Sequence, residues 1–186
     1  MPKAVRIFRE KHPDIRVTLH VLLSREVRDL IAAGDFDLGL AADEIDTTGV
    51  QHQLFATREA LCAIPAGHPL AGQEAITPPD LHGQALVAYV PEDRARQQLD
   101  RILEAAGAVP RIAVETIYTS TVCALVAEGV GIGFANPYSV AGLDLSRIVL
   151  RPFRPAIQIR SLLILPPDRP KSVLVRDFIG TLMAAR

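Results

Sequence analysis

The sequence has no tryptophan, two cysteines, and aromatic residues amounting to 5% of the chain. Such a chain must build its core from aliphatic side chains, and 49% hydrophobic residues supply enough of them to exclude a disordered or fibrous protein. The cysteines, Cys62 and Cys123, each sit inside an apolar segment without CxxC spacing or a nearby histidine. Buried, inert thiols are therefore expected in preference to a redox pair or a metal site. An excess of either charge is also missing. With 20 Lys and Arg against 21 Asp and Glu, the net charge is −1, and no basic stripe for nucleic acid appears. No apolar run approaches the ~18 residues of a membrane helix, and the N-terminus lacks the parts of a secretory signal. A soluble chain of the reducing cytoplasm, with no membrane partner, is expected.

Catalytic signatures are missing as well. His12, His20, His52, His68 and His82 show no HExxH or other ligand spacing, and there is neither a GxSxG elbow nor a Walker loop. Gly129, Gly131 and Gly133 are spaced wrongly for a dinucleotide fingerprint and lead from a helix into a strand, the reverse of what that motif needs. No enzyme, metal or cofactor is expected.

What is present is an alternation of helical and strand patterns. Ala4, Val5 and Phe8 follow helical spacing up to His12-Pro13-Asp14, and Ile15, Val17, Leu19 and Val21 then alternate with polar residues as in a half-buried strand. Ser24 stands at the N-cap of a second helix that faces inward through Val27, Leu30 and Ile31 and stops at Gly34. The segment 35–40 turns into another strand. After strands around Leu54-Phe55 and 61–64, the run Pro65-Ala66-Gly67-His68-Pro69 reads as a hinge or domain crossing. A second series of strands and helices follows, with strands at 85–90 and 112–117 around a helix at 94–106. The chain ends with β-rich segments at 148–153 and 157–165 and an amphipathic helix at 172–185. Arg151, Arg154, Arg160 and Arg169 are expected on solvated faces around a chain crossing.

The stretch from Glu115 to Pro137 organises the rest. Val122, Leu125 and Val126 share one helix face, Gly129 suits a left-handed stop, and Thr119-Ser120-Thr121 lies at the helix start. Hydroxyls there either cap the helix or leave its first-turn N–H groups to hold a carboxylate or another anion. The residues alone leave both readings open.

Four motifs in order carry a resemblance: 1–8 with His12-Pro13-Asp14-Ile15, Ser24 through Leu40, His68-Pro69-Leu70-Ala71, and Val126 through Gly133. Together they resemble the effector-binding domain of LysR-type transcriptional regulators over essentially the whole chain. The resemblance implies an α/β, two-lobed fold like type II periplasmic binding proteins, each lobe a mostly parallel sheet flanked by helices. The first lobe would be 1–58 plus 151–186, lacking its first strand as in an N-terminal truncation, and the second 59–150. It also implies a small effector between the lobes, a homodimer or homotetramer, and DNA contact only through a helix-turn-helix missing from this sequence.

The ligand-binding positions implied are Ser24, Asp43, Tyr89, Pro91, Thr119, Thr121 and Asn136. Asn136 before Pro137 resembles the branch that senses arginine-derived opines and related amino acids. Ser24, Thr119 and Thr121 would donate to an α-carboxylate, while Asp43 or Glu44 would meet a guanidinium or ammonium, the alternative for Asp43 being a solvated loop carboxylate. A solute-binding protein of a transport system uses the same fold and is the rival reading.

Overall fold

The structure, a computed structural model, describes residues 1–140, 142–167, 170 and 172–185. Arg169, one of the four arginines considered above, lies outside them. In chain order the elements are α1 (Pro2–Lys11), α2 (Ser24–Ala33), β1 (Gly39–Ala42), β2 (Gln51–Glu59), β3 (Leu61–Pro65), a 3-10 turn (Pro69–Gly72) and α3 (Pro78–Leu81). β4 (Ala85–Tyr89), α4 (Arg94–Ala105), β5 (Arg111–Thr116), α5 (Thr119–Ala127), β6 (Ile132–Ala135), β7 (Ile148–Pro152), β8 (Gln158–Leu165) and α6 (Val173–Ala184) follow.

The chain divides into two compact units, residues 1–57 with 160–186 and residues 58–159. The return boundary expected at 151 therefore falls at 160. The cause is pairing: β7 is antiparallel to β3 from Leu61↔Pro152 to Pro65↔Ile148, and Phe153 and Ile157 are sealed in the core of the second unit. The punctuated run 65–69 is likewise no crossing. It turns β3 into the 3-10 turn inside the second unit, where His68 Nδ1 accepts from the Leu70 N–H at 3.2 Å.

In the first unit the sheet order is β1-β8-β2, with β1 antiparallel to β8. Helix α2 covers it through Ile31, packed with Ala41, Leu162 and Ile164. Phe8 of α1 meets Phe178 of α6 edge-on at 5.1 Å. The strand expected over 15–21 does not form. Its residues belong to no strand of a described sheet, and Leu19 and Val21 are 54% and 74% exposed. Alternation specifies two faces, but a strand also needs a neighbour to take its N–H and C=O groups.

In the second unit the order is β5-β4-β6-β3-β7, parallel for β4 with β5 and β6, antiparallel for β3 with β6 and β7. This sheet is thus mixed where a mostly parallel one was expected, because β3 and β7 run against the βα units. Helix α5 seats Val122 and Val126 on β6 at Gly133, where a side chain would press into Val122. Fully burying each valine contributes roughly 1.5–3 kcal/mol. The helix is stopped by Gly129 at φ 78°, a conformation that costs glycine least.

Candidate effector site

Parallel strands place their C-terminal ends on one edge of a sheet, and ligands of α/β folds gather where successive connections depart in opposite directions. β4 lies between β5 and β6, so that point is the end of β4, at Tyr89. Tyr89 is 8% exposed, and its hydroxyl lies 2.6 Å from Thr119 Oγ1 at the start of α5. The backbone of Asn136, just past β6, lies near the same phenol. Tyr89, Thr119 and Asn136 are therefore brought together although 30 residues separate the first two.

Burial pushes the Tyr89 phenol up to about 12, opposed by the hydrogen bond with Thr119 and more weakly by the Asn136 N–H, and reinforced by Asp93 and Cys123. Asp93 caps α4 by accepting the Arg96 N–H at 3.0 Å, and burial raises its carboxyl above the usual range. Burial raises both thiols, Cys62 and Cys123, and neither is in a disulfide.

The hydroxyls of 119–121 do not cap α5. Tyr118 occupies the N-cap without a side-chain bond, and Thr119 spends its hydroxyl on Tyr89. The first-turn N–H groups keep the helix dipole's positive end without a side-chain acceptor, beside exposed Ser120 and Thr121. Pro91 is exposed, with its carbonyl accepting from Gln97 Nε2 at 3.1 Å. The Asn136 side chain is turned inward to its own loop, accepting the Tyr138 N–H at 3.0 Å.

The other two positions form a cluster of their own in the first unit. Ser24 is the first helical residue of α2, with Leu23 at the N-cap. The Leu23 N–H is taken by Glu26, and the Ser24 hydroxyl accepts the Ala42 N–H at 3.0 Å. Asp43 follows directly. Its side chain is only 9% exposed and lies 3.3 Å from Arg160 Nη1, so it is not a solvated loop carboxylate. Two more of the arginines expected on solvated faces are engaged too: Arg151 holds the Ala71 carbonyl, and Arg154 pairs with Glu59 at 2.8 Å.

Sequence reasoning missed Arg96 and Arg160, which hold Tyr89 and Asp43 in place. Asp93 followed three residues later by a helical arginine was the available signal for the first. No such local signal exists for Arg160, which lies 117 residues from Asp43 (160 − 43 = 117). A groove of about 540 Å³ lined by Pro78, Gln98, Arg101, Ile102 and Pro155 contains none of the candidate residues.

Two α/β units built in this way make up a type II periplasmic-binding-protein-like fold. Solved structures share it. A CcmR regulatory domain from Synechocystis PCC6803, in complex with 2-PG, superposes with TM-score 0.80 at 21% identity over 99% of this chain and 89% of that one. The BenM effector-binding domain with benzoate gives 0.78 at 18% identity, covering 100% and 85%. The family model described as "LysR substrate binding domain" matches residues 1–186, and the chain belongs to that family. Among curated relatives, the transcriptional activator protein LysR of Escherichia coli (strain K12) is 32% identical over 99% of this chain and 59% of its own length. The regulatory protein NocR of Agrobacterium tumefaciens (strain T37) is 28% identical, covering 100% and 62%. The chain thus spans about three fifths of these relatives' length. Family membership makes it an effector-binding domain and not an enzyme. Among the described residues, no helix is long and apolar enough to cross a membrane.

Proposed function

We propose that this chain is the effector-sensing portion of a cytoplasmic LysR-type transcriptional regulator, working as a homodimer or homotetramer. DNA binding would belong to a helix-turn-helix elsewhere in the full regulator. Its effector is a small carboxylate, an amino acid or an opine being the best candidates. The observation that carries the reading is the start of α5: uncapped by any side chain, flanked by the exposed Thr121 hydroxyl, and set where β4 and β6 end. Such an arrangement favours an anion through N–H groups and the helix dipole together.

The residues 1–57 with 160–186 and the residues 58–159 act as two regulatory lobes, each bringing its own polar cluster. Ser24 serves the first lobe. A guanidinium or ammonium meeting Asp43 would share its carboxylate with Arg160, which already lies 3.3 Å from it. An effector resets transcription only if it binds the lobes' alternative arrangements with different affinities.

The test is a thermal-shift screen against the common amino acids, opines, benzoate and shikimate. A carboxylate at 100 times its Kd adds about 2.7 kcal/mol, which for a chain of this size raises Tm by roughly 5–10 °C. Thr121→Ala is expected to shrink that shift while leaving the unliganded melt in place. Undiminished binding in Thr121→Ala and Thr119→Val together would remove α5 from the site.

A further inference from the structure

The contact between Tyr89 and Thr119 joins two hydroxyls at 2.6 Å, so one proton lies between two oxygens that could each own it. Two facts decide the ownership. A phenol is a stronger hydrogen-bond donor and a weaker acceptor than an aliphatic hydroxyl, which puts the proton on Tyr89 and the accepting lone pair on Thr119. Donation the other way, from Thr119, would leave the phenol proton to find a further acceptor in a buried place, and none is found among the described residues. The chain of donation therefore runs from Tyr89 Oη–H to Thr119 Oγ1.

The Thr119 proton is the end of that chain. No acceptor for it is found among the described residues; Thr119 itself is 8% exposed, and the residues that follow it at the start of α5, Ser120 and Thr121, are exposed. We infer that Tyr89 is a positioning residue that does not bind effector itself but fixes Thr119 Oγ1 as an outward donor, so that the site admits an acceptor oxygen there and rejects a cationic group. The inference rests on the effector reading above and sharpens it. Successive donors polarise one another, so the Thr119 hydroxyl donates more strongly than one standing alone.

The experiment uses the whole chain, with Tyr89→Phe, Thr119→Val, Thr119→Ser and the double variant Tyr89→Phe/Thr119→Val. The probe is whichever of the amino acids, benzoate or shikimate moves the wild-type melt, compared with its own methyl ester by calorimetry. Wild type is expected to prefer the carboxylate. Tyr89→Phe lowers the carboxylate-over-ester ratio about 3- to 10-fold, the range of one hydrogen bond. Thr119→Ser keeps the preference, and the double variant binds no more weakly than Thr119→Val alone, since residues of one relay are not additive. A general loosening of the fold would weaken acid and ester alike and leave the ratio unchanged.

An unchanged ratio in Tyr89→Phe, with binding still lost in Thr119→Val, overturns the relay and leaves the effector reading standing. Absence of any carboxylate binding to wild type overturns both that reading and the ligand class inferred from it. Proton NMR tests the direction of donation without ligand. A slowly exchanging phenol proton, lost in Tyr89→Phe and displaced in Thr119→Val, is expected, and a phenol proton indifferent to Thr119→Val overturns the assignment.

Discussion

Arg96 donates from Nη1 to the carbonyl oxygen of Tyr89 at 2.6 Å and from the same nitrogen to Glu115 at 2.9 Å, while its Nε meets both oxygens of Asp100 at 2.9 Å. One guanidinium thus fastens the last residue of β4 to α4 and β5. Its side chain is 10% exposed, so these bonds compete little with water, although the two carboxylates are themselves about half exposed. Arg96→Ala is expected to cost about 1.5–3 kcal/mol, chiefly through the charged bond to the Tyr89 carbonyl, and urea unfolding measures it. Arg96→Lys should recover only part, because an ammonium cannot reproduce the guanidinium's fixed set of donors.

A methyl group at position 133 has nowhere to go. A Cβ on Gly133 would press on Val122 Cγ1 and reach 3.2 Å from Val126 Cγ2 and the Val87 carbonyl. Gly133→Ala should destabilise by about 1–3 kcal/mol, the usual range for overpacking. Adding Val122→Ala removes the nearest obstruction, so the double variant should lose less than the sum of the single changes in a denaturant titration.

Stability at alkaline pH should follow Tyr89. Its phenol ionises near 12 in the folded chain, against 10 for an ordinary tyrosine. The raised value means that the contribution of this group is whole below pH 10, falls as the unfolded chain sheds its proton, and is gone once the folded phenol ionises near pH 12. Comparing wild type with Tyr89→Phe by circular dichroism should show a steeper loss between pH 10 and 12 in wild type. The phenolate absorbance difference between the two should appear late in that window.

Residues 15–21 lack a ladder, and their backbone should behave accordingly. Amide hydrogen exchange there is expected to be fast, while β8, paired through Ser161–Ile164 with β1, should be strongly protected. Protection of 16–20 equal to that of β8 would contradict the extended, unpaired state.

Local patterns carried most of the fold into the sequence. The helices from 94, 119 and 173 onward and the strands at 61, 85 and 132 begin within a few residues of their expected places, because spacing, caps and stop glycines are short-range signals. The segment 15–21 misled because its alternation says how side chains divide but not whether a partner strand exists. At the candidate site the hydroxyls of 89 and 119 could be named from the sequence, but their relation to one another could not. Thr119 looks like a cap until a phenol from β4 reaches it, and Asp43 looks solvated until Arg160 arrives from the far end of the chain. The unit boundary was misplaced for the same reason. Where 151–159 belongs depends on β7 finding β3, a pairing across roughly 90 residues that no window of sequence contains.

The second unit begins and ends at neighbouring places: the Ala60 N–H bonds the Ile157 carbonyl at 2.9 Å. A segment whose entry and exit touch behaves as a cassette, removable or transplantable without stretching whatever flanks it. Residues 58–159 expressed alone should then melt cooperatively. If they do, the segment that carries Tyr89, Thr119 and Thr121 can be exchanged among relatives as a single genetic part, and a chimera's ligand preference would test the role proposed for these residues.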